Sequence, residues 1–343
     1  MTRMNLLRGL GKAVLGLLMV ALAFAVVVGV VRAVNTNRFP VMESTDLVGA
    51  EGEIKGASSS VSPIAGDYLN GFHVVPDHRK YAGVVVTYGG SEGSAALGRA
   101  VELADAGYEV LSLYFFGQDN QRPALAGVPL EQFDEVESYI DAHIADPRPV
   151  TVIGSSKGAE FALLLAEHGY PVDNVVAFAP AHYTYNGLDP SGGMNGGSFT
   201  DRGEELPYAS FRTLPARTGL KMMWEGMTAY PTSYRSVYEQ LAAAAGDDAR
   251  IDVSSFGGNV LAFAGEDDQM WPSDVAARAL AEQNPRVEAH VYPGAGHVFF
   301  PDAEAVGNGW QLMLGGTVEG NHAADTDSQR LLTARLAQWH PGL

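Results

Sequence analysis

A glycine-flanked serine near the middle of the chain has the setting of an activated nucleophile. An apolar run over 150–153 leads into Gly-Ser-Ser-Lys-Gly at 154–158, so Ser156 is the centre of a Gly-x-Ser-x-Gly pattern. Glycines two positions before and after the serine let a strand and a helix approach closely, and the hydroxyl then stands exposed on a sharp turn. The pattern predicts that Ser156 is a nucleophile, with an ordinary strand-to-helix turn as the alternative.

Two later segments offer the partners that a serine hydroxyl needs. The apolar run 259–265 ends in a turn that contains Asp268, and a second run is followed by a glycine-rich loop and His297. The order serine, acid, histidine is typical of hydrolases in which a histidine takes the serine proton and a carboxylate orients the imidazole. Asp267 and His322 stay open as alternatives for the acid and the base.

Backbone N–H groups close to the serine could stabilise a developing oxyanion. One donor is expected from Lys157, directly after the nucleophile, and the other from Gly90 or Ser91 in the glycine-rich loop 88–93. A phosphate-binding loop is the alternative for 88–93, but the segment lacks both the Gly-x-Gly-x-x-Gly spacing and the Lys-Ser/Thr of a P-loop. The role of the Lys157 side chain stays open.

Three residues are candidates for contact with substrate. Met223 and Trp224 lie in a methionine-rich and aromatic stretch, and Trp271 follows the acidic turn. The first two are expected to line an acyl pocket or to pack within a lid. The chain has no cysteine and no His-x-x-x-His pair on a helix, so we expect no disulfide, no metal and no cofactor.

Strands and helices alternate on both sides of the serine turn. This alternation predicts an α/β-hydrolase fold, a mostly parallel sheet with helices on both faces and connections of right-handed crossover type. A lid insertion is expected at about 181–232, where the periodicity weakens. The predicted strands cover 83–88, 108–115, 149–153, 174–179, 259–264 and 287–292, and the predicted helices 94–106, 130–143, 157–168, 233–245, 273–283 and 325–339.

The sequence at the start of the chain is typical of a membrane-spanning segment. Basic residues precede an uncharged apolar run over 13–31, long enough to cross a bilayer as one helix. Residues 1–34 are therefore predicted as an anchor in the cell membrane, with the catalytic part outside the cytoplasm. A cleaved signal segment and a secreted protein are the alternative. Residues 35–64 are predicted as a linker and 65–343 as the catalytic domain.

The net charge of the chain narrows the class of partner. Lys and Arg number 22 against 40 Asp and Glu, a formal charge of -18. Binding to nucleic acid requires clustered basic residues, so no nucleic-acid partner is expected. The expected partners are a small acyl substrate and, through the first helix, the membrane. The oligomeric state is left open.

Five segments also resemble one family of enzymes. The chain is similar to the C-terminal catalytic domain of the acyl-CoA thioesterase and bile acid-CoA:amino acid N-acyltransferase family over about 80–340. The resemblance is carried by Gly-Gly-Ser-Glu-Gly-Ser at 89–94, Pro-Leu-Glu-Gln-Phe at 129–133, Ile-Gly-Ser-Ser-Lys-Gly-Ala-Glu at 153–160, Gly-Glu-Asp-Asp-Gln-Met-Trp-Pro-Ser at 265–273 and Tyr-Pro-Gly-Ala-Gly-His at 292–297.

This resemblance implies cleavage of a fatty acyl thioester through an acyl-enzyme. A serine nucleophile looks more like the thioesterase branch than the cysteine-bearing acyltransferase branch. Two features depart from the family: the stretch 35–80 is too short for its N-terminal β-sandwich, and an outward-facing domain would rarely meet acyl-CoA. An envelope carboxylesterase or lipase, a lipid acyltransferase and a non-catalytic binding protein of the same fold are the alternatives.

Overall fold

The computed structural model describes residues 3–39, 54–189, 191, 195–299 and 309–343. Residues 40–53, which belong to the predicted linker, lie outside the described residues, as do positions 190 and 192–194 of the predicted lid and residues 300–308 of the predicted catalytic domain.

The strands of the described chain form two sheets. The larger one has eight strands in the order β1-β2-β4-β3-β6-β7-β10-β11, and the smaller one has the order β5-β8-β9. The strands are β1 (Ser59–Ala65), β2 (Asn70–Pro76), β3 (Val84–Tyr88), β4 (Val110–Leu113), β5 (Val128–Pro129), β6 (Val150–Ser155), β7 (Asn174–Phe178), β8 (Phe199–Asp201), β9 (Glu204–Glu205), β10 (Asn259–Gly265) and β11 (Val287–Tyr292).

The helices alternate with the strands of the large sheet. They are α1 (Arg3–Arg38), α2 (Leu97–Ala106), α3 (Gln132–His143), α4 (Lys157–Glu167), α5 (Ala216–Thr228), α6 (Arg235–Ala244), α7 (Ser273–Gln283), α8 (Trp310–Met313) and α9 (Val318–Trp339), with short 3-10 turns at Phe211–Thr213 and Asp247–Ala249.

The large sheet is parallel from β4 to β11, and β2 pairs antiparallel with both β1 and β4. Parallel strands that are buried on both faces have continuous apolar sequences, and β3 is such a strand. Val84 and Val86 point into a core that includes Phe133 of α3 and Phe161 of α4. Val85 points into a second core with residues of α2 and α9. The expected mostly parallel sheet with helices on both faces is confirmed.

The antiparallel edge was missed by sequence reasoning, because β1 falls within the stretch predicted as linker. Its sequence, SSVSPIA, is polar and contains Pro63, which sheets tolerate at edges but not in central strands. The carboxylate of Asp105 accepts hydrogen bonds from the N–H of Ala57 and of Ser58, both at 2.9 Å, and from Ser59 Oγ at 2.6 Å. Hydrogen bonds to a side chain of α2 therefore hold this edge strand in place, and its sequence shows no hydrophobic periodicity that would predict it.

The predicted lid stretch contains regular structure. It holds β8, β9 and α5, and its aromatic residues enter a third core. In that core Tyr185 packs against Tyr238 and Trp271, with ring centroids 4.7 and 5.9 Å away. The stretch thus packs against α6 and the turn that follows β10. Whether it acts as a lid stays a prediction.

The first helix differs from all others of the described chain in its exposure. Within α1, the 28 residues Gly11–Arg38 are long and apolar enough to cross a membrane, and none of its most apolar window is buried in the protein. Length and composition alone support this interpretation, and a signal sequence has the same features.

We expect Phe161→Ala to lower the free energy of unfolding by about 3–5 kcal/mol, since it opens a cavity among buried rings. Phe161 is fully buried, and its ring centroid lies 5.1, 5.5 and 5.6 Å from those of Tyr88, Phe115 and Phe199. Urea unfolding followed by circular dichroism measures the change. The control is Val275→Ala at a 44% exposed position of α7, and equal effects of the two changes would contradict this packing.

Candidate active site

Ser156 lies on the sharp turn between β6 and α4. Its backbone has φ 53° and ψ −116°, and its N–H donates to the carbonyl oxygen of Phe178 at 2.8 Å. A Cβ on Gly154 would lie 2.1 Å from the carbonyl oxygen of Gly158, and one on Gly158 would lie 2.0 Å from that of Gly89. Real Cβ atoms do not approach backbone so closely, so glycine is required on both sides of the serine.

His297 bridges the serine to a carboxylate. Its Nε2 lies 3.0 Å from Ser156 Oγ, and its Nδ1 lies 2.9 Å from Asp268 Oδ2. The histidine follows β11, where its own N–H donates to the carbonyl oxygen of Leu314 at 2.7 Å. The structure therefore brings together the serine, histidine and aspartate that the sequence singled out, in hydrogen-bond contact.

Asp268 is held by donors from the turn after β10. Oδ1 accepts from the N–H of Met270 at 2.8 Å and of Trp271 at 3.2 Å, and Oδ2 accepts from Ser273 Oγ at 2.5 Å. These bonds fix the carboxylate with one oxygen aimed at His297. Sequence reasoning missed Ser273, because a serine at the start of a helix has an ordinary capping interpretation.

The rival acid and base lie elsewhere. Asp267 is exposed, whereas Asp268 is completely buried. His322 is exposed on α9. Burial and contact favour the aspartate and histidine that the sequence preferred.

The expected oxyanion donors have different surroundings. Lys157 is the first residue of α4, where N–H groups have no partner within the helix. The N–H of Gly90 donates to Glu92 Oε1 at 2.8 Å, an oxygen that also accepts from Ser94 Oγ at 2.6 Å. Ser91 is exposed. In this conformation, then, the Gly90 donor is occupied by a carboxylate.

The Lys157 side chain, which sequence reasoning left without a role, points into the protein. It is 1% exposed, with Nζ 2.8 Å from both Glu160 Oε2 and Ser198 Oγ. Burial lowers the pKa of Lys157 and raises that of Glu160, while the attraction between them opposes both shifts. Glu160 Oε1 also accepts from the N–H of Tyr185 at 3.1 Å. The pair ties the first turn of α4 to the segment that follows β7.

Two of the three residues predicted to contact substrate are placed elsewhere. Met223 and Trp224 are 53% and 39% exposed on the outer face of α5, and neither lines the cavity at the serine. Met222 and Thr218 occupy the inner face of that helix, so contact of Met223 and Trp224 with an acyl chain stays a prediction. Trp271 is buried and stands edge-on to His297, with ring centroids 5.6 Å apart.

A small cavity of about 70 Å³ opens at the serine. Its walls combine the predicted residues with others that sequence reasoning missed. The cavity is lined by Arg99, Ser155, Ser156, Phe178, Ala179, His297, Val298, Phe299, Asp325 and Gln329. Arg99 in α2 and Asp325 in α9 belong to no motif, and only the packing of two distant helices brings them here. In the described part of the chain, no group of three or more His, Asp or Glu side chains could hold a metal ion.

Comparison with known proteins agrees with this architecture. Residues 70–307, well over half of the chain, match the model of the alpha/beta hydrolase family. The chain therefore belongs to that family, a class of mainly hydrolytic proteins, and the fold predicted from its strand and helix pattern is confirmed.

Among solved structures, the chain is similar to an esterase from Pyrococcus furiosus at 15% identity and a TM-score of 0.44, covering 82% of this chain and 92% of that one. A putative dienelactone hydrolase from Klebsiella pneumoniae has 17% identity, a TM-score of 0.47 and coverages of 80% and 96%. A membrane phospholipase A, described as a bacterial virulence factor, has 17% identity and a TM-score of 0.43, with 95% of this chain and 98% of that chain covered. Such distant likenesses carry no argument about substrate. A search of curated proteins gives no significant match.

We expect Lys157→Met to lower the free energy of unfolding by about 3–5 kcal/mol, because it leaves the Glu160 carboxylate buried without its cation. The double change Lys157→Met with Glu160→Leu should restore most of the loss, since an apolar pair replaces the ion pair. Urea unfolding of the two single variants and the double variant gives the coupling energy.

The control for this cycle is Arg330→Met, which breaks the exposed ion pair of Arg330 with Asp327. An exposed pair contributes less than about 1 kcal/mol. A double variant as unstable as Lys157→Met would contradict the view that the unpaired charge causes the loss.

Proposed function

We propose that this protein is a membrane-attached serine hydrolase that cleaves acyl esters or thioesters through an acyl-enzyme intermediate. The observation that supports this proposal most directly is the hydrogen-bonded series from Asp268 through His297 to Ser156, with contacts of 2.9 and 3.0 Å. It lies at the carboxyl ends of the parallel strands of a hydrolase-family fold, with the half-buried serine on a turn of positive φ.

In the proposed reaction, His297 Nε2 takes the proton of Ser156 as Oγ attacks the acyl carbonyl carbon. The tetrahedral intermediate then expels the alcohol or thiol, which leaves with the proton from Nε2, and the acyl group stays on the serine. Water repeats the sequence and releases the acid. Asp268 keeps the Nδ1–H tautomer in place and stabilises the imidazolium.

The start of α4 supplies electrostatic stabilisation. The Lys157 N–H is one of the free donors of that helix, whose positive dipole end faces the new oxyanion. The buried bond from Lys157 Nζ to Glu160 stiffens the same turn, so the donor is held in place before substrate arrives. A second donor from Ser91 or Gly90 is proposed, and Gly90 can donate to substrate only after the Glu92 carboxylate moves.

The thioester specificity rests on the five segments that resemble the acyl-CoA thioesterase family. Three of them carry residues of the proposed triad, since the Ser-Lys-Gly run includes Ser156, the Asp-Asp-x-x-Trp run includes Asp268 and the run 292–297 ends at His297. The Asp-Asp-x-x-Trp run also contains Trp271. The ring of Trp271 packs against His297, so the tryptophan supports the proposed base instead of lining the pocket.

Attachment to the membrane is supported by contacts between α1 and α5. Asn35 Nδ2 donates to the carbonyl oxygen of Thr228 at 2.9 Å, and the rings of Phe24 and Trp224 lie 6.3 Å apart. The apolar run of α1 ends at Val31, about 10 Å along the helix from Phe24 at 1.5 Å per residue. If α1 spans the bilayer, this geometry puts the outer face of α5 at the boundary between headgroups and acyl chains.

Exposed apolar side chains on α5 fit that location. Leu220, Met223 and Trp224 are exposed beside the anchor, where water would solvate them poorly. We propose that α1 anchors the protein and that this face of α5 lies in the adjoining leaflet, with the catalytic domain outside the cytoplasm. A substrate with an acyl chain in the membrane would then be near the site.

We expect Ser156→Ala to remove nearly all hydrolysis, at least about 1,000-fold in kcat, because triad members act as a unit. Ser155→Ala is the matched control, since it removes the neighbouring hydroxyl and should retain most activity. The assay compares a long-chain acyl-CoA with its matched oxygen ester, using purified full-length protein.

Faster turnover of the thioester would support the thioesterase assignment. Turnover of the oxygen ester alone would keep the triad and indicate an esterase or lipase of the envelope. Wild-type rates in Ser156→Ala would refute the assigned nucleophile.

The absence of cysteine allows a direct test of membrane contact. In vesicles of phosphatidylcholine and phosphatidylglycerol, a single cysteine from Met223→Cys should react slowly with a membrane-impermeant maleimide, because lipid covers it. Val275→Cys, exposed on α7, is the control and should react fast. Both cysteines should react fast in a chain that begins at residue 40. Equal rates at the two positions in the full chain would contradict the proposed contact.

A further inference from the structure

An arginine that lines the cavity at Ser156 has one nitrogen without a hydrogen-bond partner among the described residues. Arg99 of α2 lines the same cavity as Ser156 and His297. Its Nη1 is enclosed by the protein and has no hydrogen-bond partner among the residues that the structure describes. The guanidinium carbon stands 3.9 Å from the ring centroid of Phe178, another cavity residue. A stacked guanidinium cannot turn away to solvent, so its donors stay directed at their present surroundings.

A charge in this position is costly unless an anion compensates it. The acidic groups that act on Arg99 are Glu102 and Asp325, but no described carboxylate lies within 4.0 Å of the guanidinium. Burial lowers the pKa of Arg99 to about 10, while those two acids raise it. The side chain is therefore still a cation at neutral pH, with one donor unused.

We propose that Arg99 binds an anionic group that the substrate carries close to its scissile carbonyl, so that the substrates are acyl esters or thioesters bearing a carboxylate or a phosphate. This inference rests on the proposed hydrolase function and names its substrate class. A planar guanidinium with free N–H groups matches the oxygens of either anion.

The remaining walls limit where that anion can lie. Phe178, Val298 and Phe299 are apolar, and Gln329 adds an amide. Asp325 repels a second negative charge, so one anionic group is accommodated, on the side of Arg99. The cavity of about 70 Å³ is small, which keeps the anion within a few bonds of the carbonyl that Ser156 attacks.

The test compares two esters of equal acyl length, p-nitrophenyl pentanoate and mono-p-nitrophenyl glutarate, on the full chain in detergent. Wild type should prefer the glutarate ester. Arg99→Gln should lower kcat/KM for that ester by about 10- to 100-fold, as expected for a lost hydrogen bond between charged groups. Its kcat/KM for the pentanoate ester should change by less than about 3-fold, and Arg99→Lys should recover part of the loss.

A second experiment also detects an anion that belongs to the leaving group, and it distinguishes a carboxylate from a phosphate. Glutarate and inorganic phosphate are tried as competitive inhibitors of pentanoate ester hydrolysis by wild type and Arg99→Gln. Tighter inhibition of wild type by one of them identifies a carboxylate or a phosphate as the preferred ligand. Arg122→Gln, which removes an exposed positive charge outside the cavity, controls for net charge and should behave as wild type.

Equal losses on both esters in Arg99→Gln, or inhibition that is the same in wild type and variant, would overturn the anion site while leaving the hydrolase intact. If wild type cleaves neither ester, the proposed function itself fails on these substrates. The anion site is then tested without catalysis, by the rise in melting temperature that glutarate or phosphate gives wild type. A rise that persists in Arg99→Gln, or no rise in wild type, would count against it.

Discussion

The carbonyl oxygen of Gly89 lies where the side chain of any other residue at 158 would begin, and the site depends on this close approach of β3, β6 and α4. Because the backbones meet there, the chain between β6 and α4 has room for only a sharp turn, and Ser156 takes a positive φ that non-glycine residues rarely adopt. The strain is balanced by packing of α4 against a sheet whose central strands are buried on both faces. The same turn carries Ser156 and the backbone of Lys157, so the proposed nucleophile and the proposed oxyanion donor depend on one constraint.

Local patterns were sufficient to predict the three residues of the proposed triad. Ser156, Asp268 and His297 each follow a strand of the parallel part of the sheet, and the carboxyl ends of parallel strands lie on the same side, so distant positions meet there. Arg99 carries no comparable signal, since it reaches the cavity from the side of α2 that ordinarily faces outward. The exposure of Met223 could not be predicted, because composition does not tell which face of an amphipathic helix is packed. The polar edge strand β1 was missed because its order comes from Asp105 on another element.

The chain as a whole is negatively charged, whereas the cavity contains the positive charge of Arg99. The formal net charge of -18 repels anions at long range, but exposed charges are screened within about 8 Å at physiological ionic strength. An enclosed guanidinium acts at short range with little screening. The buried cation of Lys157 is already neutralised by Glu160, and the buried Asp268 is engaged by His297. Among the described residues, the partly buried Arg99 has no carboxylate close to it, and its Nη1 has no hydrogen-bond partner. Selectivity for an anionic substrate would thus arise after encounter, in the cavity.

One helix connects the proposed membrane surface to the proposed base. The outer face of α5 carries Trp224 beside the anchor, while Met222 on its inner face packs against the core that contains Trp271. Trp271 touches His297 edge-on and donates through Nε1 to the carbonyl oxygen of Ala179 at 3.1 Å, another residue of the cavity wall. Movement of α5 relative to the sheet would therefore disturb the packing behind the imidazole before it reached the serine, whose turn is fixed by backbone contacts. On this argument, loss of the proposed membrane contact would act first on the position of His297 and would leave Ser156 in place.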